Sequence, residues 1–320
     1  MKFVFALDGN VVQHLAVTLL SLFEVHSGVS IDVFFILVGV SPTDVERIEN
    51  LCNRFPNVTA HYLPYVMEDP DRFPITGHIS LAAYARVFVA ELLPADWSKV
   101  LYLDCDLIIR CSFAEIWNLD LTNWAAAGVK EPGNSRHAEL EIPESLPYIN
   151  SGVLLINLAY WREHRVKELL LSYIIANPEK LMFWDQDAIN ACLSRQILQL
   201  PDRWNVTHSF YLGPYRSLNG IKAKDLLKLQ NDPAVVHFTG PTKPWMYIMT
   251  HPFQEKYWEY LGRTPFQHVK REKRTMQSFL FRQMRLLHRG AKRVLFIWYS
   301  VAAEQSWKIR HVFTKGESAV

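Results

Sequence analysis

A chain of 320 residues, 49% hydrophobic and 21% charged, carries the apolar material for a large core, which excludes a mainly disordered protein. Its four cysteines, Cys52, Cys105, Cys111 and Cys192, form no CxxC pair and no regular framework, which fits a reducing compartment better than a secreted scaffold. The formal net charge of +2 conceals an asymmetry: residues 263–320 hold 13 Lys and Arg against three Glu, leaving 21 basic and 29 acidic residues in 1–262. In chain order, "MKFVFALDGN" offers too short an apolar stretch for an export signal, so "KFVFAL" reads as a core strand. Val12–His26 reads as a helix with Leu15, Leu19, Leu22 and Phe23 on one face. "IDVFFILVG" is a strand, "SPTDVERIENLCNRF" a helix entered through Ser and Pro, and "NVTAHYL" a strand. Ser80–Leu93 reads as a helix stopped by Pro94, and "KVLYLD" as the strand after it.

"SFAEIW" carries a capping-box pattern at Ser112 and Glu115, and "YINSGVLLINL" is a strand. Helices follow near Ala159–Ala176 and Asp185–Leu193, then the strand "AVVHF", the Pro-rich "TGPTKPW" and a helix around Phe253–Leu261. Near-continuous apolar strands alternating with helices imply an α/β fold with a mostly parallel sheet covered on both faces. Beyond residue 262 the pattern turns to basic helices. The chain is therefore expected to divide into a unit at 1–265 and a tail at 266–320.

Three stretches could carry chemistry. In "KVLYLDCDLIIR", Asp104 and Asp106 stand one residue apart in an apolar run. Residues i and i+2 of a strand share a face, and two desolvated carboxylates call for a cation between them. Open α/β sheets bind ligands past the carboxyl ends of their strands, where this pair falls. The alternative is a pair of turn or helix-capping aspartates. Asp8 and Asn10 follow the first strand and could bond a base N–H and a ribose hydroxyl, or simply cap a helix. In "VVHFTGPTKPW", His237 could complete a cation site or be a satisfied core histidine, Gly240 permits close backbone approach, and Lys243 suits a phosphate. Mixed carboxylate and imidazole ligation favours Mn²⁺ over Mg²⁺.

The blocks "FALDGN", "GHISLAAYAR", "VLYLDCDLIIR", "INSGVLLINL", "WDQDAIN" and "VHFTGPTKPW", in this order over roughly Met1–Leu261, resemble glycosyltransferase family 8. The likeness is strongest to its bacterial lipopolysaccharide α-galactosyl- and α-glucosyltransferases. That resemblance implies a retaining hexosyltransferase with a Rossmann-like, nucleotide-sugar-binding GT-A fold. It implies that Asp104, Asp106 and His237 hold Mn²⁺, or Mg²⁺, against the diphosphate of UDP-galactose or UDP-glucose, and that Asp8 and Asn10 contact uracil and ribose. Arg86, Gly240 and Lys243 would serve the donor and its departing phosphates. Asn150, Ser151, Gly152, Asp185 and Gln186 would line the hexose, and His78 would lie toward a saccharide or lipid-linked oligosaccharide acceptor. Gln186 stands where a nucleophile for double displacement would be needed, and an amide is a poor one, so same-face attack is expected. After "AAAGV" the family often carries a carboxylate near the sugar, where this chain reads Lys130 and then Glu131. Rivals are a glycogenin-like self-glucosylating enzyme and a non-catalytic UDP-sugar-binding protein.

The tail holds nine Lys and Arg and one Glu between His268 and Arg293, interleaved with Phe279, Leu280, Phe281, Met284, Leu286 and Leu287. Nucleic acid and plain solvent are alternatives, but a basic amphipathic helix of this kind more often lies on anionic membrane. Residues 268–313 are therefore expected to attach the protein peripherally to an anionic membrane, with no nucleic-acid partner, and the resemblance implies that this is the cytoplasmic face of the inner membrane.

Overall fold

A computed structural model describes residues 1–67, 81–133, 136–212, 221–271, 275–288, 290–291 and 294. Its strands are β1 (Lys2–Leu7), β2 (Ile31–Leu37), β3 (Val58–Pro64), β4 (Lys99–Leu103), β5 (Leu107–Ile109), β6 (Ala126–Lys130), β7 (Ile149–Asn157), β8 (Ile197–Leu200), β9 (Val206–Thr207) and β10 (Val235–His237). Seven of them form one sheet in the order β3-β2-β1-β4-β7-β6-β8, and a small second sheet runs β5-β10-β9. In the large sheet only the pairings of β7 with β4 and with β6 are antiparallel. The α/β, mostly parallel architecture read from the apolar strands is the one the chain adopts. Side chains alternate across the sheet, so it carries a core on each face. Phe3, Phe5, Leu101 and Leu103 pack on one side with Leu15, Leu19 and Phe23. Val4, Val100 and Tyr102 pack on the other with Trp161, Leu170 and Ile189.

Local chemistry explains most boundaries. The helix Pro42–Cys52 starts where Ser41 Oγ accepts the Asp44 N–H at 3.2 Å, with Pro in the first turn. Three readings need correcting. The stretch before Pro94 is a 3₁₀ helix over Leu81–Phe88 that passes into a short α-helix at Val89–Leu92. The long helix expected over Ala159–Ala176 is two, Leu158–Glu163 and Val166–Ala176, broken where Arg165 takes a left-handed φ of 51°. At "SFAEIW" no capping box forms, because Ser112 Oγ accepts the Ala114 N–H at 3.3 Å, one turn position too early.

Past the helix Gln254–Leu261, Arg271 pairs with Glu255 and lies over the Trp258 ring at 5.0 Å. The helix at 276–288 is tied back by Arg282, which donates to Tyr247 O at 2.6 Å, to Gln254 Oε1 at 2.9 Å and to Met249 O. Its Met276, Leu280, Met284 and Leu287 recur at helical spacing and are 74%, 55%, 67% and 74% exposed. Among the described residues no helix is long and apolar enough to cross a membrane.

Candidate active site

The apolar run around the paired aspartates is not one strand. β4 ends at Leu103, the chain bends through Asp104, Cys105 and Asp106, and β5 leaves in the second sheet. Shared strand face is therefore not what brings the carboxylates together. The bend is pinned by buried Thr18, whose Oγ1 lies 2.8 Å from Cys105 O and 2.9 Å from Leu107 O and accepts the Leu107 N–H at 3.0 Å. β10 runs antiparallel to β5 with His237 opposite Leu107, and the Phe238 N–H donates to Asp106 O at 3.1 Å. This register delivers the imidazole to the carboxylates: Nε2 is 3.2 Å from Asp106 Oδ1 and 3.6 Å from Asp104 Oδ2.

One ligand atom from each of Asp104, Asp106 and His237 lies within 4.8 Å of the others, a spacing a single cation can span. Two carboxylate oxygens and one imidazole nitrogen suit a divalent transition ion. The backbone is also shaped around them. Between Asn150 and Leu154, β7 carries Ser151, Gly152 and Val153 against no partner on β6, a bulge of three residues at the segment that meets the cluster. Gly152 O accepts the Asp104 N–H at 2.9 Å. A Cβ on Gly152 would stand 2.5 Å from Asp104 Oδ2, 3.0 Å from His237 Nδ1 and closer still to His237 Cε1. Only glycine leaves the cradle intact, so the residues fit a metal ion.

Positive charge brackets the cluster. Lys243 Nζ is 2.5 Å from Asp106 Oδ2 and donates to Phe238 O at 2.8 Å. Burial would raise the Asp106 carboxyl, but Lys243 and His237 outweigh it and hold the group well below the ordinary range. Arg86, on the 3₁₀ helix and 3% exposed, forks to Asp104 Oδ1 at 2.5 Å and to Asp185 Oδ2 and Ser151 Oγ, with its guanidinium 4.1 Å from the Tyr102 ring centre. Burial outweighs the Arg86 contact at Asp185 and lifts that carboxyl to about 6.

Asp185 and Gln186 sit in the first turn of the helix Trp184–Leu193, whose start is closed by Asp187 Oδ2 accepting the Met182 and Phe183 N–H groups at 2.7 Å each. Gln186 is held at both ends. Its Oε1 accepts the Ser151 N–H at 3.0 Å, and its Nε2 donates to Tyr148 Oη at 3.0 Å. Lys130 is exposed while Glu131 is buried, accepting from Asn150 Nδ2 at 2.8 Å and Thr207 Oγ1 at 3.2 Å. Burial pushes the Glu131 carboxyl up, against the pull of His237 and these donors. Of Lys130 and Glu131, it is Glu131 whose side chain lies against Asn150 of "NSG".

Asp8 Oδ1 accepts the Asn10 N–H at 2.8 Å, closing a turn after β1; the following helix has Val11 at its cap, with no side-chain bond. The capping alternative for Asp8 and Asn10 is not what forms. Burial and then the charges of Asp104, Asp106 and Asp8 push the Cys105 thiol well up. Gly240 takes φ of 83°, and nothing lies within 4 Å of where its Cβ would be. His78 lies outside the described residues. A cavity of about 710 Å³, lined among others by Lys99, Asp120, Asn157 and Tyr160, opens at the opposite end of β4 and contains none of these groups.

Sequence reasoning missed Asn205, Tyr148 and His14. Asn205 is fully buried, and its place in sequence between the apolar Trp204 and Val206 was the available signal. His14 stacks on Trp245 with ring centres 3.3 Å apart and meets Tyr257 Oη at 2.6 Å, bracing the segment that carries Lys243.

Both the sequence and the fold have counterparts among known proteins. The family model for glycosyl transferase family 8 matches residues 2–249. General stress protein A of Bacillus subtilis is 28% identical over 269 residues, 82% of this chain and 94% of that protein. The lipopolysaccharide 1,2-glucosyltransferase of Escherichia coli K12 is 30% identical over 198 residues, 60% of this chain and 57% of that one. The crystal structure of the galactosyltransferase LgtC in complex with donor and acceptor sugar analogs superposes with a TM-score of 0.70 at 26% identity, covering 83% of this chain and 96% of LgtC. The chain belongs to glycosyl transferase family 8 and is a glycosyltransferase of GT-A fold.

Proposed function

We propose that this glycosyltransferase moves a hexose, galactose or glucose, from its UDP-sugar to a saccharide of lipopolysaccharide or lipooligosaccharide core type, with retention at the anomeric carbon. The observation that carries the reading is the Asp104–Asp106–His237 cluster at the strand ends, flanked by Lys243 and Arg86. Breaking the anomeric C–O bond leaves negative charge on the departing diphosphate. Lys243 meets that charge from one side, and the open space at Gly240 admits a phosphate against backbone. When bound at the cluster, Mn²⁺, or Mg²⁺ as the alternative, would supply Lewis-acid stabilisation of the same oxygens. Asp8 and Asn10 hold uracil and ribose. Asn150, Ser151, Gly152, Asp185 and Gln186, with Glu131, line the hexose, Arg86 keeps Asp104 and Asp185 oriented, and His78 faces the acceptor.

Both ends of the Gln186 amide are engaged by Ser151 and Tyr148, which suits a residue that positions the sugar rather than one that attacks it. The acceptor hydroxyl therefore attacks from the face the diphosphate leaves, and the leaving oxygen takes its proton. A glycosyl adduct trapped on Asp185 or another carboxylate would overturn this. Residues 1–265 form the catalytic unit, and the tail 266–320 rests its exposed apolar helix face and its Lys and Arg on anionic lipid at the cytoplasmic face of the inner membrane.

The test is UDP release from a panel of UDP-sugars, with Mn²⁺ or EDTA, for wild type and Asp106→Asn. Mn²⁺-dependent release from one UDP-hexose, lost in the variant, is expected. UDP binding without release from any sugar, even with a core oligosaccharide acceptor supplied, would refute the activity.

A further inference from the structure

Asn205 ends the 3₁₀ turn Asp202–Asn205 that leads into β9, and its side chain is fully buried. Its carboxamide touches two groups. Oδ1 lies 2.8 Å from His237 Nδ1, and Nδ2 lies 2.8 Å from Asn150 Oδ1. One backbone amide fixes the direction of every bond in this chain. The Gly152 N–H can only donate, and it points at Asn150 Oδ1 at 3.0 Å. That end of Asn150 is therefore the oxygen, and its NH₂ group faces the Glu131 carboxyl at 2.8 Å. Facing an oxygen, Asn205 must present its own NH₂ to Asn150 and its carbonyl oxygen to His237. A carbonyl oxygen can only accept, so His237 carries a proton on Nδ1. The Nε2 lone pair is then left for the side where Asp104 and Asp106 converge.

We propose that Asn205 is a positioning residue that sets the tautomer of His237 for a divalent cation and links that imidazole, through Asn150, to the buried carboxyl of Glu131. The proposal rests on the reading of Asp104, Asp106 and His237 as a cation site. Outer groups that hold a ligating imidazole fix its ring and raise its basicity, and removing one costs about 10–100-fold in metal affinity. Here the acceptor is an amide whose orientation is dictated by the Gly152 N–H. The same "NSG" bulge therefore spaces the cluster and sets the polarity of its imidazole.

Two measurements on the full-length protein test this. Histidine ¹⁵N–¹H correlation spectra, with His237 assigned by loss in His237→Gln, report which ring nitrogen is protonated. Mn²⁺ titrations in the presence of UDP compare wild type with Asn205→Leu. His237 Nδ1 is expected to be the protonated nitrogen of the neutral ring, and Asn205→Leu to bind Mn²⁺ about 10–100-fold more weakly. An unprotonated Nδ1 overturns the proposal whether or not Asn205→Leu folds. So does a folded Asn205→Leu with wild-type Mn²⁺ affinity. Wild type that binds no Mn²⁺ with UDP refutes the cation site itself, a failure distinct from either of these.

Discussion

Gly152→Ala is the smallest change that tests the geometry of the cluster. The backbone there does not require glycine, since Gly152 is not among the residues with positive φ. Space alone forbids the methyl group. It would stand 2.5 Å from Asp104 Oδ2 and nearer still to His237 Cε1, whereas ordinary contacts lie at about 3.5–4 Å. Asp104 and His237 must therefore retreat by roughly 1 Å or more. Neither can do so freely, because His237 is backed by Asn205 at 2.8 Å and Asp104 by Arg86 at 2.5 Å. Overpacking of this kind costs about 1–3 kcal/mol of stability. A displacement of about 1 Å in a positioned group costs on the order of 10²-fold in rate. UDP release at saturating donor and Mn²⁺ should thus fall about a hundredfold while urea denaturation still shows a cooperative, slightly weakened fold. Activity within about twofold of wild type, with the same Mn²⁺ requirement, would show that the cluster does not work as drawn.

How much of this could be read beforehand depends on the range of the interaction that decides each feature. β1, β2 and β7 announce themselves because a buried strand needs a largely apolar run, and "KFVFAL" or "INSGVLLINL" has no competing reading. The split of the run around Asp104 into β4 and β5 was not visible, because it is decided by Thr18, 87 residues away in sequence from Cys105, and by the pairing of β5 with β10. The break at Arg165 was hidden for the opposite reason: nothing apolar changes there, only one φ. Asp104, Asp106 and His237 were legible through chemistry that buried carboxylates and a strand-end histidine share. Asn205 was not, because a neutral amide has meaning only through its neighbours. Its donor and acceptor ends are assigned by a backbone N–H on a different strand, and no local pattern encodes that.

Other consequences can be checked separately. Arg86→Met strips the shared cation from Asp104 and Asp185 in a buried site, and unfolding free energy in urea should drop by about 3–5 kcal/mol; an unchanged midpoint would mean the fork is not formed. Phe281→Glu with Leu287→Glu places charge on the exposed face of the helix at 276–288, and should release the protein from anionic vesicles while sparing UDP release in solution; retained vesicle binding would remove the tail from that role. His14→Gln probes the brace behind Lys243 through pH. Burial, only partly opposed by the Asp106 charge, lowers the His14 imidazole from 6.5 to about 3. Between those values the unfolded chain binds a proton that the native protein does not, so stability falls as pH drops through this window. From pH 6.5 to about 4 the loss amounts to roughly 3 kcal/mol at 1.36 kcal/mol per unit. Gln keeps a polar group near Tyr257 Oη but cannot take up that proton, so the acid-side loss should be shallower in the variant by about this amount. Urea midpoints measured across the window decide it: parallel curves for the two proteins would mean that His14 is not held neutral against Trp245 and Tyr257.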